Sequence, residues 1–186
     1  MRRTIHLSFI FALITLTACT QHKPKSNDQG PKTLIAYFSV TGRTAEAAEQ
    51  LADAIDGKLY EIKPEVKYKD EDLNWHDDHS RSSMEMKDRN ARSAIIHDLE
   101  LPEDYDRIFI GFPIWSYTAP TIINTFLESY PFEGKLIALF VTSGGNTPDK
   151  ALQELRQKYP KLRFVAAKLL NDEDQTEMKK WADSIK

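Results

Sequence analysis

One cysteine, Cys19, is the whole thiol inventory of this 186-residue chain. An internal disulfide needs two, and a cysteine-ligated iron–sulfur cluster needs more. If Cys19 is itself lipidated, thiolate catalysis is excluded too, and redox chemistry must come from a bound organic cofactor. Other signatures are also missing. The chain has no Gly-x-Ser-x-Gly nucleophile elbow and no Walker phosphate loop, which argues against hydrolase chemistry. It has no basic patch interleaved with aromatics, so nucleic acid is not an expected partner. The uncharged run Leu7–Leu16 is too short to span a bilayer comfortably.

What is present suits a single globular domain with a sizeable core: 41% of residues are hydrophobic and 28% charged. The N-terminus is a separate matter. Arg2 and Arg3 precede the short apolar run, which ends at Leu16-Thr17-Ala18-Cys19. A basic start, an apolar centre and a small-residue processing site describe an export signal. The pattern resembles the lipobox of bacterial lipoproteins, which implies lipidation of Cys19 and a site in the bacterial cell envelope. An ordinary signal peptide and an uncleaved anchor are the alternatives. Removing residues 1–18 takes Arg2 and Arg3, leaving 23 of 25 basic residues against 28 acidic ones, a mild formal charge of −5. Residues 19–31 read as a solvated tether, since Thr20–Pro31 has two prolines and no aliphatic side chain. As a flexible coil it would reach on the order of 20 Å. The domain is expected over 32–186.

Within it, Leu34–Phe38, Arg107–Phe112 and Leu136–Val141 are nearly continuous apolar runs, as in parallel strands buried on both faces. Leu59–Ile62 and Leu162–Ala166 are weaker and suit strands nearer the edges. Helical stripes lie between them: Ala47, Ala48, Leu51 and Ile55; Ile122, Ile123, Phe126 and Leu127 after a first-turn Pro120; Ala151, Leu152, Leu155 and Tyr159; Met178, Trp181, Ala182 and Ile185. Strand alternating with helix predicts an α/β three-layer sandwich with right-handed crossovers. Lys63–Pro102 breaks the rhythm. It is long, polar and acidic around Trp75, has the character of a functional or lid-like insertion, and is expected to hold a helix around Ser83–Ile96. His76 and His79 within it read as part of a solvated loop rather than as metal ligands.

Three loops follow three of the strands, at the edge where open parallel sheets bind ligands. In the first, Ser39, Thr41 and Thr44 supply hydroxyls, and Gly42 frees backbone amides at a helix start; this can seat a phosphate. Read alone, the same residues would also serve as a plain helix cap. The second loop, Gly111–Pro120, offers Trp115 and Tyr117 as flat faces for a planar ring, or as packing. The third, Thr142-Ser143-Gly144-Gly145-Asn146, lets amides approach a ring edge, or is simply a turn.

Together the segments Tyr37–Thr44, Gly111–Trp115 and Phe140–Gly145 resemble the flavodoxin-like family, in the family's order and over the chain from about Lys32 onward. The resemblance implies a short-chain form with a five-stranded parallel sheet of order 2-1-3-4-5 and FMN as cofactor. It implies that Ser39, Thr41, Gly42, Arg43 and Thr44 hold the phosphate. Pro113, Ile114, Trp115 and Tyr117 would line the isoalloxazine, with Thr142, Ser143, Gly144 and Gly145 at its pyrimidine edge. Arg43 stands where the family commonly has asparagine, adding a cation. The expected function is membrane-tethered electron transfer to a redox partner protein or a small-molecule acceptor, with no catalytic side chain. The alternatives are an NAD(P)H-dependent FMN reductase acting on quinone-like acceptors, and a non-catalytic flavin-binding lipoprotein.

Overall fold

A computed structural model describes residues 31–100 and 102–186. The expected signal, the lipidation site Cys19 and the tether up to residue 30 lie outside the described residues. In chain order the elements are β1 (Thr33–Tyr37), α1 (Arg43–Ile55), β2 (Lys58–Glu61), α2 (Arg81–Lys87), β3 (Arg107–Pro113), α3 (Thr121–Ser129), β4 (Leu136–Thr142), α4 (Asp149–Lys158), β5 (Arg163–Leu169) and α5 (Gln175–Asp183). All strand pairs are parallel, and the sheet order is β2-β1-β3-β4-β5, as expected.

The two-residue period of a strand divides the core into two layers. Leu34, Ala36, Ile108, Ile110, Leu139 and Val141 point to the side covered by α3 and α4, where Ile122, Phe126 and Leu155 meet them. Ile35, Tyr37, Phe109 and Phe140 point to the other side, against Ala48 and Leu51 of α1 and Met178 and Ala182 of α5. At an apolar burial value of roughly 25 cal/mol per Å², such two-sided strands dominate the stability of the fold. β2 and β5 are the edges, and β5 carries a register shift opposite Ile137/Ala138.

Two expectations are corrected. Pro120 is the residue before α3 rather than part of its first turn. The helix expected around Ser83–Ile96 is α2, which starts earlier and is only seven residues long. The Ser80 hydroxyl accepts from the Ser83 N–H and sets its start. Its end follows from the tail beyond Asp88, which is used elsewhere: Ile95 is buried and bridges antiparallel to Pro64, and the Ile96 N–H donates to the Lys63 carbonyl. Burying Ile95 against β2's exit prevails over continuing the helix.

Candidate functional site

β1, β3 and β4 end side by side, so the loops that follow them share one edge of the sheet. In the first loop Gly42 has φ 91°, a conformation that favours glycine, and directly precedes α1 with no side chain capping the helix. The first hydrogen bond into α1 runs from the Glu46 N–H to the Gly42 carbonyl. The N–H groups of Arg43, Thr44 and Ala45 therefore have no intrahelical acceptor and carry the positive end of the helix dipole. Ser39 Oγ is buried with no hydrogen-bond partner. Thr41 and Arg43 are exposed, and Arg43 faces Asp172 at 3.9 Å. Thr44 is buried, its Oγ1 2.7 Å from Thr142 Oγ1, which ties the first loop to the end of β4.

The second loop leaves β3 at Pro113, and the Ile114 N–H donates to the Thr142 carbonyl at 3.0 Å. Trp115 and Thr118 exchange both backbone hydrogen bonds around a two-residue turn. Ser116 (φ 46°) and Tyr117 (φ 71°) are both left-handed without being glycine, which costs on the order of 1 kcal/mol each. This turn projects the Tyr117 side chain outward, 63% exposed. Trp115 is half-buried and packs edge-on against Phe38 at 5.6 Å and Tyr68 at 5.4 Å.

Tyr68 belongs to the polar insertion. Its hydroxyl donates to Glu85 at 2.5 Å, and the Arg81 guanidinium lies 3.8 Å over its ring while bonding Glu85 at 2.8 Å. Burial, and then the bond to Glu85, push the Tyr68 hydroxyl well above the ordinary tyrosine range. A neutral, clamped tyrosine thus braces Trp115 from behind.

In the third loop the Ser143 side chain turns inward, accepting from the N–H groups of Gly145 and Asn146. Ser143's backbone exchanges two hydrogen bonds with the Asn171 amide, at 3.0 and 2.8 Å. Neither Gly144 nor Gly145 has a left-handed φ, and a Cβ on either would meet no protein atom within 4 Å. Nothing in the protein requires glycine at these two positions; each side faces open space.

That space is a cleft of about 560 Å³. Ile114, Trp115 and Tyr117 form one wall, Ser143, Gly144 and Gly145 a second, and Leu73, Trp75 and Met86 of the insertion a third. Of the expected site residues, these second- and third-loop residues are brought around one cavity. Pro113 and Thr142 lie at the strand ends beside them. Ser39, Thr41, Gly42, Arg43 and Thr44 do not line the cleft; they form the neighbouring seat, linked through the Thr44–Thr142 pair. Sequence reasoning placed Trp75 in a lid-like insertion without assigning it to the site, and it missed Tyr68, Met86 and Asn171. The lid-like character of that insertion was the available signal for Tyr68 and Met86, which belong to it.

The residues fit FMN. The unpartnered Ser39 hydroxyl and the uncapped α1 N-terminus suit a phosphate, while the open faces of Gly144 and Gly145 opposite Trp115 suit a planar ring.

Comparison with known proteins agrees. A family model described as Flavodoxin matches residues 32–185. The chain is similar to a solved protein from Bacteroides eggerthii DSM 20697 classed as a flavoprotein (44% identity, 84% of this chain, 98% of that one, TM-score 0.82). A second, from Bacteroides uniformis ATCC 8492, shares 47% identity over 84% of this chain and 100% of its own, with TM-score 0.80. A flavoprotein from Lactobacillus acidophilus NCFM solved in complex with FMN shares 27% identity over 82% and 99% of the two chains, with TM-score 0.64. No curated protein matches.

Proposed function

Because the chain belongs to the flavodoxin family, we propose that it binds FMN and transfers electrons at a membrane surface, to which lipid on Cys19 tethers it. The observation that carries this reading is the convergence of three loops on one sheet edge: an anion seat at Ser39–Thr44 beside a cleft walled by Trp115 and the Gly144-Gly145 backbone. The lipobox-like sequence at Leu16–Cys19 supports the tether and a place in the bacterial cell envelope.

FMN, when bound, supplies the redox chemistry itself. The chain's residues hold and shield it. The N–H groups of Arg43, Thr44 and Ala45, with the hydroxyls of Ser39 and Thr41, would hold the phosphate through charge-assisted hydrogen bonds. Trp115, held in place by Phe38 and Tyr68, and Ile114 would position the ring and exclude water from it. The partner is a redox protein or a small-molecule acceptor.

A second reading, an NAD(P)H-dependent FMN reductase acting on quinone-like acceptors, is favoured by the third wall. The insertion carries Leu73, Trp75 and Met86 to the cleft as a further apolar wall, against which a nicotinamide or quinone ring would pack. The absorption spectrum of protein purified with added FMN tests both readings, and a yellow protein is expected. A colourless protein that takes up no FMN overturns both. Anaerobic mixing with NADH or NADPH then separates them, since bleaching of the flavin is expected of the reductase alone.

A further inference from the structure

Behind the Trp115–Thr118 turn lies a second cavity of about 410 Å³, which shares Met86 and Ser116 with the flavin cleft. Its lining is unusual for a chain of formal charge −3: Arg89, Lys150 and Lys158 against a single carboxylate, Glu154. Glu154 is already engaged. It accepts from the Thr118 hydroxyl at 2.7 Å, and Arg89 and Lys150 lie 3.3 and 4.0 Å from it. Lys158 Nζ has only the Arg89 carbonyl, at 3.1 Å, and no carboxylate within 4 Å among the described residues. The nearby Glu128 is taken by Arg92 and by the Tyr159 hydroxyl. Burial and the neighbouring guanidinium groups of Arg92 and Arg89 hold the Lys158 ammonium below the ordinary lysine range, against the partial opposing pull of Glu128.

A second feature is independent of charge. Asn124, only 1% exposed, lies in the cavity's lining. Its Nδ2 donates to the Tyr159 hydroxyl oxygen at 2.9 Å, while that hydroxyl's proton goes to Glu128. This fixes the amide's orientation and leaves Oδ1 buried without a partner. A buried unpaired acceptor beside excess cations matches a ligand that presents an oxyanion together with an O–H or N–H donor.

We infer that this cavity is an oxyanion subsite for the small molecule that exchanges electrons with the flavin, Lys150 and Lys158 binding its phosphate, sulfonate or carboxylate while its planar part passes Met86 and Ser116 into the cleft. The inference rests on the FMN reading above. Lys150 is placed for this role at the mouth, its Nζ 5.6 Å from the ring centre of Tyr117, which borders the cleft.

The first experiment titrates inorganic pyrophosphate into FMN-loaded protein by calorimetry, where the flavin occupies the seat at Ser39–Thr44. Saturable binding is expected, weakened about ten-fold or more in Lys150→Gln/Lys158→Gln, given the strength of hydrogen bonds to charged groups. The exposed Lys150→Gln alone, which has little structural work to lose, should weaken it in the same direction. No saturable binding, or equal binding in both variants, overturns the site. The source of the oxyanion is read by anaerobic mixing with NADPH and, separately, by turnover of a sulfonated against an uncharged quinone. A KM raised in the double variant for one charged molecule, with the uncharged quinone unaffected, supports the link to electron exchange. Identical KM values for all of them overturn that link. Should the chain hold no FMN, the functional reading falls, yet lysine-dependent pyrophosphate binding would still be distinguished from binding at Ser39–Thr44, which does not involve these lysines.

Discussion

Thr44 Oγ1 and Thr142 Oγ1 lie 2.7 Å apart in a buried hydrogen bond between residues 98 positions apart in the chain. One hydroxyl is the first turn of the helix that follows β1; the other ends β4. The pair fixes the distance between the anion seat and the Gly144-Gly145 wall. A cofactor spanning both therefore meets a preformed site.

Thr142→Val should cost about 1–3 kcal/mol in denaturant unfolding of the apoprotein, because it leaves the Thr44 hydroxyl buried and unsatisfied. Thr44→Val/Thr142→Val, which removes both partners at similar shape, should recover much of that loss. A double variant as damaged as the sum of the singles would show that the two hydroxyls do not act as a pair.

Gly111 is required by a neighbour rather than by its backbone angle. A Cβ there would come within 2.0 Å of the Phe140 ring. Gly111→Ala should lower stability by about 1–3 kcal/mol through overpacking. Adding Phe140→Leu should restore part of it, measured as the shift in Tm. No change on Gly111→Ala would mean that the ring moves away freely.

Tyr117 borders the cleft in a backbone conformation that costs stability. Its φ of 71° is tolerated better by asparagine, so Tyr117→Asn should stabilise the apoprotein by up to about 1 kcal/mol. The same change removes an aromatic face from the cleft and should weaken FMN, as read by fluorescence titration. Tighter FMN binding in Tyr117→Asn would refute the role given to the ring.

Alkaline stability should fall through tyrosine ionisation. Burial and the bond to Glu128 push the Tyr159 hydroxyl up to about 12. Between the ordinary tyrosine value and that one, the unfolded chain releases a proton the folded chain keeps, so stability declines as pH rises. It is fully present below about pH 10. Tyr159→Phe should flatten the slope of unfolding free energy between about pH 10 and 12; an unchanged slope would assign the decline to other tyrosines such as Tyr68.

Cys19→Ala should move the protein from the membrane to the soluble fraction and abolish incorporation of labelled fatty acid. Retention at the membrane would point to an uncleaved anchor instead.

Sequence alone determined the strands, the helices and the three loops, because these depend on local patterns; the order of the strands came only with the family resemblance, since neighbours in a sheet are set by packing. A strand buried on both faces writes itself as a continuous apolar run, as in Arg107–Phe112, and a helix as a stripe. The candidate loops were legible for the same reason: hydroxyls, glycines and aromatics stand together in short segments, although each read alone was also a cap, a packing contact or a turn. Only the tertiary structure decided what the insertion does. Tyr68 behind Trp115, Met86 between two cavities, and Lys158 beside Arg89 are each brought together across tens of residues by packing, and no periodicity records it. It also decided how Thr44 and Ser143 are used. Their hydroxyls can serve a ligand or the protein, and the chemistry of the residue is the same in both cases. Thr44 meets Thr142, and Ser143 holds its own loop, because the β1 and β4 ends converge and the third loop folds back on itself.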